Sequence, residues 1–73
     1  MAKKGGSAVY RVTDVIGTSS SSWEDAARNA VKTASKSLRD LRIAEITKLD
    51  VRIENGKVSQ FRARVSLSFK YEA

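Results

Sequence analysis

The sequence predicts a single α+β domain whose elements follow the order β-α-β-β. Three observations support this prediction. Apolar residues alternate with polar ones near both ends of the chain, as in strands, and recur at three- and four-residue steps in between, as in an amphipathic helix. A run of serines stands directly before the helical segment and supplies its cap. An Asn-Gly pair divides the second strand region into two halves, as in a β-hairpin.

Length and composition restrict the function as well as the fold. The chain has 73 residues, enough for one domain that buries only ~60% of the surface exposed in its unfolded form. It has no cysteine, so disulfides and thiolate metal sites are excluded, and association of subunits is the remaining source of extra stability. It also has no histidine and no glycine-rich phosphate loop. We therefore expect no catalytic residues and no enzymatic activity.

The charge balance fits an anionic partner, and it also fits solubility alone. Fourteen Lys and Arg residues against eight Asp and Glu give a formal charge of +6. Residues 1–7 are interpreted as a flexible N-terminal tail, so the domain is expected to span residues 8–73. No apolar run follows the two lysines of the tail, and no segment has the ~18 apolar residues of a membrane span. We expect a cytoplasmic protein without membrane contact.

The first strand and the helix cap are predicted from the residues up to position 25. "AVYRVTDVI" at 8–16 is rich in β-branched residues and alternates, and Gly17 is expected to end the strand. The alternation predicts one face with Val9, Arg11, Thr13 and Val15 and a second face with Tyr10, Val12, Asp14 and Ile16. Ser21, with Glu24 three residues later, fits a capping box. Glu24 and Asp25 also match the positive end of the helix dipole.

The predicted helix runs from about Trp23 to about Leu41. Its apolar stripe consists of Trp23, Ala27, Ala30, Val31, Ala34, Leu38 and Leu41. The opposite side carries Arg28, Lys32, Lys36 and Arg39. We interpret this basic side as a solvated face rather than a nucleic-acid contact, because no aromatic residue interrupts it to stack on a base. Trp23, the only tryptophan of the chain, is interpreted as packing the first turn of the helix.

The segment "ENGK" at 54–57 predicts a hairpin with a type I′ turn. If Asn55 and Gly56 form the loop, Glu54 pairs with Lys57 and the register of the two strands follows. The predicted pairs are Ile53 with Val58, Leu49 with Arg62, Ile46 with Val65, and Ala44 with Leu67.

This register divides the apolar residues of the hairpin between two faces. One long apolar row consists of Phe61, Ala63, Val65, Leu67, Phe69 and Tyr71. The preceding strand, which is expected from Ile43 onwards, joins this row with Ala44 and Ile46, whereas residues 49, 51 and 53 fall on the opposite face. The pattern predicts either a bulge near Lys48 or a hairpin buried on different sides at its two ends. One helix cannot cover both faces, so we expect the turn end to pack against another subunit.

Four segments of the chain resemble a known family. They are "YRVTDVIGTS" at 10–19, "SWEDAARNAV" at 22–31, "SLRDLRIAEI" at 37–46, and "ENGKV" followed by "FRARVSLSF" up to Phe69. Together they resemble the dodecin family from about Tyr10 to Tyr71. The resemblance implies a three-stranded antiparallel sheet wrapped around one helix, and assembly of twelve subunits, built from trimers, into a hollow dodecamer. It also implies pockets between subunits that store or quench a flavin, riboflavin or FMN, without catalysis.

Two positions depart from the flavin-binding members. By the resemblance, a tryptophan that stacks on the flavin ring would stand at Ile43, and a glutamine that hydrogen-bonds the ring edge would stand at Arg62. By the same resemblance the following position would also be aromatic, but here it is Ala44. The glutamate of this segment is retained as Glu45. The predicted register places Ile43, Glu45 and Arg62 on one face. Because both the ring and the amide are missing there, we expect flavin to bind weakly or not at all.

Ile43, Glu45, Arg62 and Arg64 are therefore the candidate ligand-binding residues of a non-catalytic, homo-oligomeric shell protein. The two arginines favour an anionic small molecule, such as one that carries phosphate. A divalent, calcium-like cation is an alternative, held by carboxylates from symmetry-related subunits, and its ligands are not assigned. A purely structural shell with no small ligand is another. The structural interpretation of Glu45 is an ion pair with an arginine of another subunit. A nucleic-acid-binding module is disfavoured, because the chain lacks an aromatic platform, a glycine-rich clamp and zinc-ligand spacing.

Overall fold

The computed structural model of the protein describes residues 8–70. Its elements are strand β1 (Tyr10–Ser19), helix α1 (Trp23–Ala34), strand β2 (Leu41–Glu54) and strand β3 (Lys57–Lys70). The predicted β-α-β-β order is thus confirmed. The predicted tail, residues 1–7, and the last predicted member of the apolar row, Tyr71, lie outside the described residues.

Strand β1 continues through Gly17, so the prediction that this glycine ends the strand was wrong. Gly17 is instead the point at which α1 comes closest to the sheet. A Cβ atom built on Gly17 would lie 2.0 Å from the carbonyl oxygen of Ala26 and 2.8 Å from the Cβ of Ala30. Ala26 is fully buried at this contact. The glycine is therefore required by the close approach of two backbones and not by a turn.

Helix α1 begins at Trp23, as predicted, but its N-cap is Ser22 and not the predicted Ser21. The hydroxyl of Ser22 accepts a hydrogen bond of 3.0 Å from the backbone N–H of Asp25. Ser19, the last residue of β1, also contacts this turn. Its hydroxyl accepts a hydrogen bond from the N–H of Ser21 at 2.9 Å and donates one to Asp25 Oδ2 at 2.8 Å. The predicted acidic first turn, with Glu24 and Asp25, is confirmed. Any of these serines could cap a helix. The hydrogen bonds of Ser19 to Ser21 and Asp25 hold the chain so that Ser22 is the N-cap.

Helix α1 ends at Ala34, well before the predicted end at Leu41. The serines that follow compete for the helix carbonyls: the hydroxyl of Ser35 donates to the carbonyl of Lys32 at 2.9 Å. Such local side-chain bonds favour the end of a helix over its continuation. Asp40 then adopts a left-handed φ of 56° and turns the chain into β2, which starts at Leu41 rather than at residue 43.

The sheet has the order β1-β3-β2, and both pairings are antiparallel. Helix α1 packs on one side of the sheet, which we call the inner face, mainly over β1 and β3. The core consists of Ala26, Ala30, Ala63, Val65 and Leu67. Three of these residues are alanines, so the helix lies close to the sheet and little apolar volume is buried. No helix within residues 8–70 is long and apolar enough to cross a membrane.

The hairpin turn and its nearest pairs follow the prediction. Asn55 and Gly56 both have positive φ, 54° and 74°, as a type I′ turn requires. The predicted pairs that the structure contains are Glu54 with Lys57, Ile53 with Val58, Ile46 with Val65, and Ala44 with Leu67. The predicted pair of Leu49 with Arg62 was wrong, because Leu49 lies opposite Ala63 and Arg62 lies opposite Asp50.

Two β-bulges cause this local difference. Ser59 has no partner between the Arg52–Gln60 and Ile53–Val58 pairs, and it displaces the register by one residue. Thr47, between Ile46 and Lys48, restores it, which confirms the predicted bulge near Lys48. A third register shift, between Leu41 and Ile43, places Ile43 on the opposite side of the sheet. Because opposite residues of an antiparallel pair share a face, the bulges gather the other apolar residues of the hairpin on the inner face. These are Leu41, Ala44, Ile46, Leu49, Val51 and Ile53 of β2 and Val58, Phe61, Ala63, Val65, Leu67 and Phe69 of β3.

Much of this apolar surface has no cover from residues 8–70 of the same chain. The described chain measures 59 × 21 × 16 Å, and its radius of gyration is 15.5 Å, whereas a compact chain of this length would have about 11 Å. A helix of 12 residues is about 18 Å long, and a strand of 14 residues spans about 46 Å. Beyond the helix, Leu49 is 50% exposed, Ile53 64% and Val58 53%.

Replacing Gly17 by alanine should destabilise the fold, because the new Cβ would overlap the carbonyl oxygen of Ala26. Overpacking typically costs about 1–3 kcal/mol, and here backbone would have to move. Guanidinium unfolding at equal protein concentration measures the effect. Gly56→Ala is the control: its Cβ meets nothing within 4 Å, and only the positive φ is costly, by about 1–2 kcal/mol. If Gly17→Ala unfolded at the same midpoint as the wild type, the close contact would be refuted.

Candidate functional site

The four candidate residues all lie on the side of the sheet away from α1, which we call the outer face. The register places on this face Tyr10, Val12, Asp14, Ile16 and Thr18 of β1, Ile43, Glu45, Lys48 and Asp50 of β2, and Arg62, Arg64, Ser66, Ser68 and Lys70 of β3. Four of these residues of β3 are flanked by one residue of β1 and one of β2, whereas Lys70 has a partner on β1 alone. The outer face is thus mainly a series of three-residue rows across the sheet, and the rows differ in charge.

Ile43 lies near the beginning of β2, opposite Ser68, and its side chain is 61% exposed. Val12 completes this row on the other side of β3. Tyr10 is the one aromatic residue of the outer face within the described chain, and it lies in the neighbouring row, on the opposite edge strand. Within residues 8–70, a single subunit therefore offers no ring beside Ile43 on which a planar cofactor could stack.

Glu45 forms an acidic row with Asp14. Both residues are paired with Ser66, Asp14 from β1 and Glu45 from β2. Because neighbouring strands are ≈4.8 Å apart, the two carboxylates belong to backbones about 10 Å apart, with a hydroxyl between them. No cluster of three or more His, Cys, Asp or Glu side chains that could hold a metal ion occurs within residues 8–70. Asp14 was not among the predicted site residues, because the local pattern does not reveal which strand lies beside β1.

Arg62 is engaged by a carboxylate of the same chain. Its Nε donates to Asp50 Oδ1 at 2.8 Å, and the two side chains are 40% and 57% exposed. The two bulges make this pair, since between them Asp50, rather than Leu49, lies opposite the arginine. An exposed ion pair of this kind contributes about 0–1 kcal/mol to stability, so its main effect is to neutralise and orient the guanidinium.

Arg64 has different surroundings. It lies between Lys48 on β2 and Ile16 on β1, so two cations are directly opposite each other. Among the ion pairs of residues 8–70 none involves the side chain of Arg64 or of Lys48. These three residues, with Asp50 and Arg62, line a shallow cleft of ≈160 Å³ on the outer face.

The four predicted residues share a face, but they do not form one pocket within a chain. Arg62 and Arg64 are close together at the middle of β3, in successive rows. Ile43 belongs to the row of Ser68, six residues from Arg62 along β3, which corresponds to about 20 Å. A ligand that touched both Ile43 and Arg62 would therefore need two subunits.

Trp23 belongs to the inner face, which confirms its interpretation as a packing residue. Its indole Nε1 donates to the backbone carbonyl of Asp50 at 3.0 Å. Its ring meets Phe61 edge to face, with centroids 5.2 Å apart and an interplanar angle of 75°. Such a contact stabilises a packed pair of rings. The only tryptophan of the chain is thus directed away from the outer face.

These features define a class of protein: a small α+β subunit with one short helix on a long antiparallel sheet, an incompletely covered apolar side and a charged outer face. A family model for dodecins matches residues 9–72, which is nearly the whole chain. The calcium dodecin of Mycobacterium tuberculosis is 40% identical to this chain over 62 residues, which cover 85% of this chain and 87% of that protein. The chain therefore belongs to the dodecin family.

Solved structures show the same relationship. A dodecin from Streptomyces coelicolor has a TM-score of 0.85 and 41% identity to this chain, and the match covers 90% of this chain and 94% of the other. A crystal structure of calcium dodecin from Mycobacterium tuberculosis, described as calcium-chelating and as having a novel calcium-binding site, has a TM-score of 0.79 and 39% identity. That match covers 88% of this chain and 91% of the other. The predicted fold and family are both confirmed.

Proposed function

We propose that the protein is a non-catalytic dodecin whose subunits assemble into a hollow shell of twelve and bind a small ligand, with weak or no binding of flavin. One observation carries the flavin part of this proposal. The outer face presents Ile43, 61% exposed, at the position where the family resemblance implies a stacking tryptophan. The tryptophan that the chain does contain, Trp23, is held on the inner face by its contacts with Asp50 and Phe61.

The uncovered inner face supports assembly. Leu49, Ile53 and Val58 are each at least half exposed and lie together at the turn end of the hairpin. Soluble monomers rarely expose contiguous apolar surface of this kind. An apolar groove of ≈370 Å³ also runs between α1 and β2, and contact between subunits would remove both surfaces from water.

Native mass spectrometry should therefore find twelve subunits. Leu49→Glu should dissociate the shell, because a carboxylate would have to be buried in the contact. Val9→Glu makes the same chemical change at a residue that is 67% exposed before β1 and should leave the shell intact. A stable wild-type monomer would refute the assembly.

The chemistry of the two substituted positions explains why flavin binding should be weak. Stacking of a planar ring on an aromatic side chain is worth about 1–3 kcal/mol, and isoleucine does not provide it. A glutamine amide both donates and accepts hydrogen bonds, whereas a guanidinium only donates. Arg62 is in addition engaged by Asp50 at 2.8 Å.

Restoring the missing groups should restore flavin binding. We expect Ile43→Trp with Arg62→Gln to bind riboflavin roughly 5- to 150-fold more tightly than the wild type, which is the stacking energy expressed as an affinity ratio. Quenching of riboflavin fluorescence at micromolar protein measures this. Ile43→Leu with Arg62→Gln is the matched control, since it lacks the ring. Strong quenching by the wild-type protein would show that flavin binding has not been lost.

Calcium is the second candidate ligand, and the acidic row of the outer face favours it. Asp14 and Glu45 flank Ser66 and supply hard oxygen ligands from two strands. Ca²⁺ takes six to eight oxygen ligands, so the carboxylates of one chain would have to be completed by those of other subunits. The similarity to a calcium dodecin supports the same ligand.

Titration of the metal-free shell with Ca²⁺ in a calorimeter tests this proposal. Asp14→Asn and Glu45→Gln should each weaken binding by at least about tenfold, because each removes an anionic ligand. Glu54→Gln also removes one carboxylate, but one that is already paired with Arg52 at 3.5 Å, and should bind Ca²⁺ like the wild type. Equal loss in all three variants would point to the total charge and not to this row.

A further inference from the structure

We propose that the row next to the acidic one is an anion site, in which Lys48 and Arg64 bind a phosphate-bearing small molecule. The site depends neither on flavin nor on calcium. It differs from the predicted site, because Arg62 and Glu45 are not its principal ligands. Three observations carry it: the origin of the cation pair, the absence of a counter-charge in the described chain, and the shape of the cleft.

The pair exists because of the Thr47 bulge. Without the bulge, strict alternation from Ile46 would direct Lys48 to the inner face, since the side-chain period of a strand is two. With Thr47 as the extra residue, Lys48 turns to the outer face and lies directly opposite Arg64. The hydroxyl of Thr47 also donates to the carbonyl of Arg64 at 3.2 Å, which links the bulge to this residue. Bulges commonly redirect a side chain at functional sites.

Like charges directly opposite each other on neighbouring strands destabilise a sheet. Carboxylates lie nearby on both sides of this row, but they do not relieve the repulsion. Asp50 already forms an ion pair with Arg62, whose Nε lies 2.8 Å from Asp50 Oδ1. Asp14 and Glu45 belong to the next row, two residues or about 7 Å further along β3, and no ion pair within residues 8–70 joins them to Lys48 or Arg64. An anion bound between the two cations would remove the repulsion.

The cleft fits one phosphate group. Its volume of ≈160 Å³ is below the range of about 300–1,000 Å³ typical of pockets that hold a whole cofactor. A guanidinium presents a planar pair of donors that matches two phosphate oxygens, and an ammonium adds a mobile point charge. Ile16, in the same row, forms an apolar side of the cleft.

The test is titration of the assembled protein with inorganic phosphate at constant ionic strength, followed by ³¹P line broadening or calorimetry. The wild type should bind phosphate saturably. Lys48→Gln and Arg64→Gln should each weaken this binding about tenfold or more, the usual effect of losing a charged hydrogen-bond donor. Lys57→Gln is the matched control, because it removes one lysine charge at the hairpin turn, and its affinity should stay within about twofold of the wild type.

Asp50→Asn gives a result in the opposite direction, so that a loss caused by misfolding cannot be mistaken for support. It frees Arg62 and removes a negative charge that lines the cleft, and should tighten phosphate binding roughly two- to fivefold. Unsaturable binding by the wild type, or the same loss in Lys57→Gln as in Lys48→Gln, would overturn the proposal. The riboflavin and Ca²⁺ titrations measure the other ligands separately, so failure here is distinguishable from failure there.

Discussion

The period of two along the second strand is the constraint on which the rest of this subunit depends. In a strand that is covered on one face, every side chain after a one-residue insertion changes sides. The Thr47 bulge makes this change in the middle of β2, and the Ser59 bulge compensates for it on β3. Between the two bulges the apolar residues stay on the inner face and the charged ones on the outer face. These two unpaired residues, with Arg42 as a third between Leu41 and Ile43, thus determine which side chains of the hairpin face the helix and which face away from it.

A second constraint is the distance between the helix and the sheet. Gly17 and Ala26 bring two backbones into direct contact, and alanines fill most of the remaining interface. The contact is close but buries few large side chains: Val65 and Leu67 are the largest that are fully buried. The hydrophobic gain scales with buried apolar area. A short helix of small residues therefore provides position more than stability.

The sequence allowed most of the fold to be predicted, because the signals for it are local. The Asn55-Gly56 turn fixes the hairpin, and the alternation of β1 gives its two faces without knowledge of its neighbours. The end of α1 was wrong because its apolar stripe continues past Ala34 in the sequence, whereas the serine hydroxyls that end the helix act through specific hydrogen bonds. Serine is not a residue type that marks a bulge, so the bulge at Ser59 could not be predicted from the sequence. The pairing of Arg62 with Asp50, which depends on this bulge, was therefore missed.

The candidate site was less predictable than the fold for the same reason. Alternation places Ile43 with Glu45 and Arg62 with Arg64, but the common face of the two pairs and their distances depend on the register and the strand order. The acidic row requires β1 to lie beside β3, and no local pattern contains that information. Charged residues on a sheet acquire a role from their neighbours across the strands. Their residue types alone indicate only the general class of ligand.

The half-exposed apolar surface of the hairpin also affects how the stability of this protein depends on its concentration. If the Leu49, Ile53 and Val58 surface is buried only on association, then folding and assembly form one equilibrium, and the midpoint of unfolding rises with protein concentration. A dilute chain and a concentrated one would differ in stability without any change in sequence. The folded population of such a subunit is therefore a property of how much of it is present, and synthesis above a threshold amount becomes a condition for obtaining the native structure.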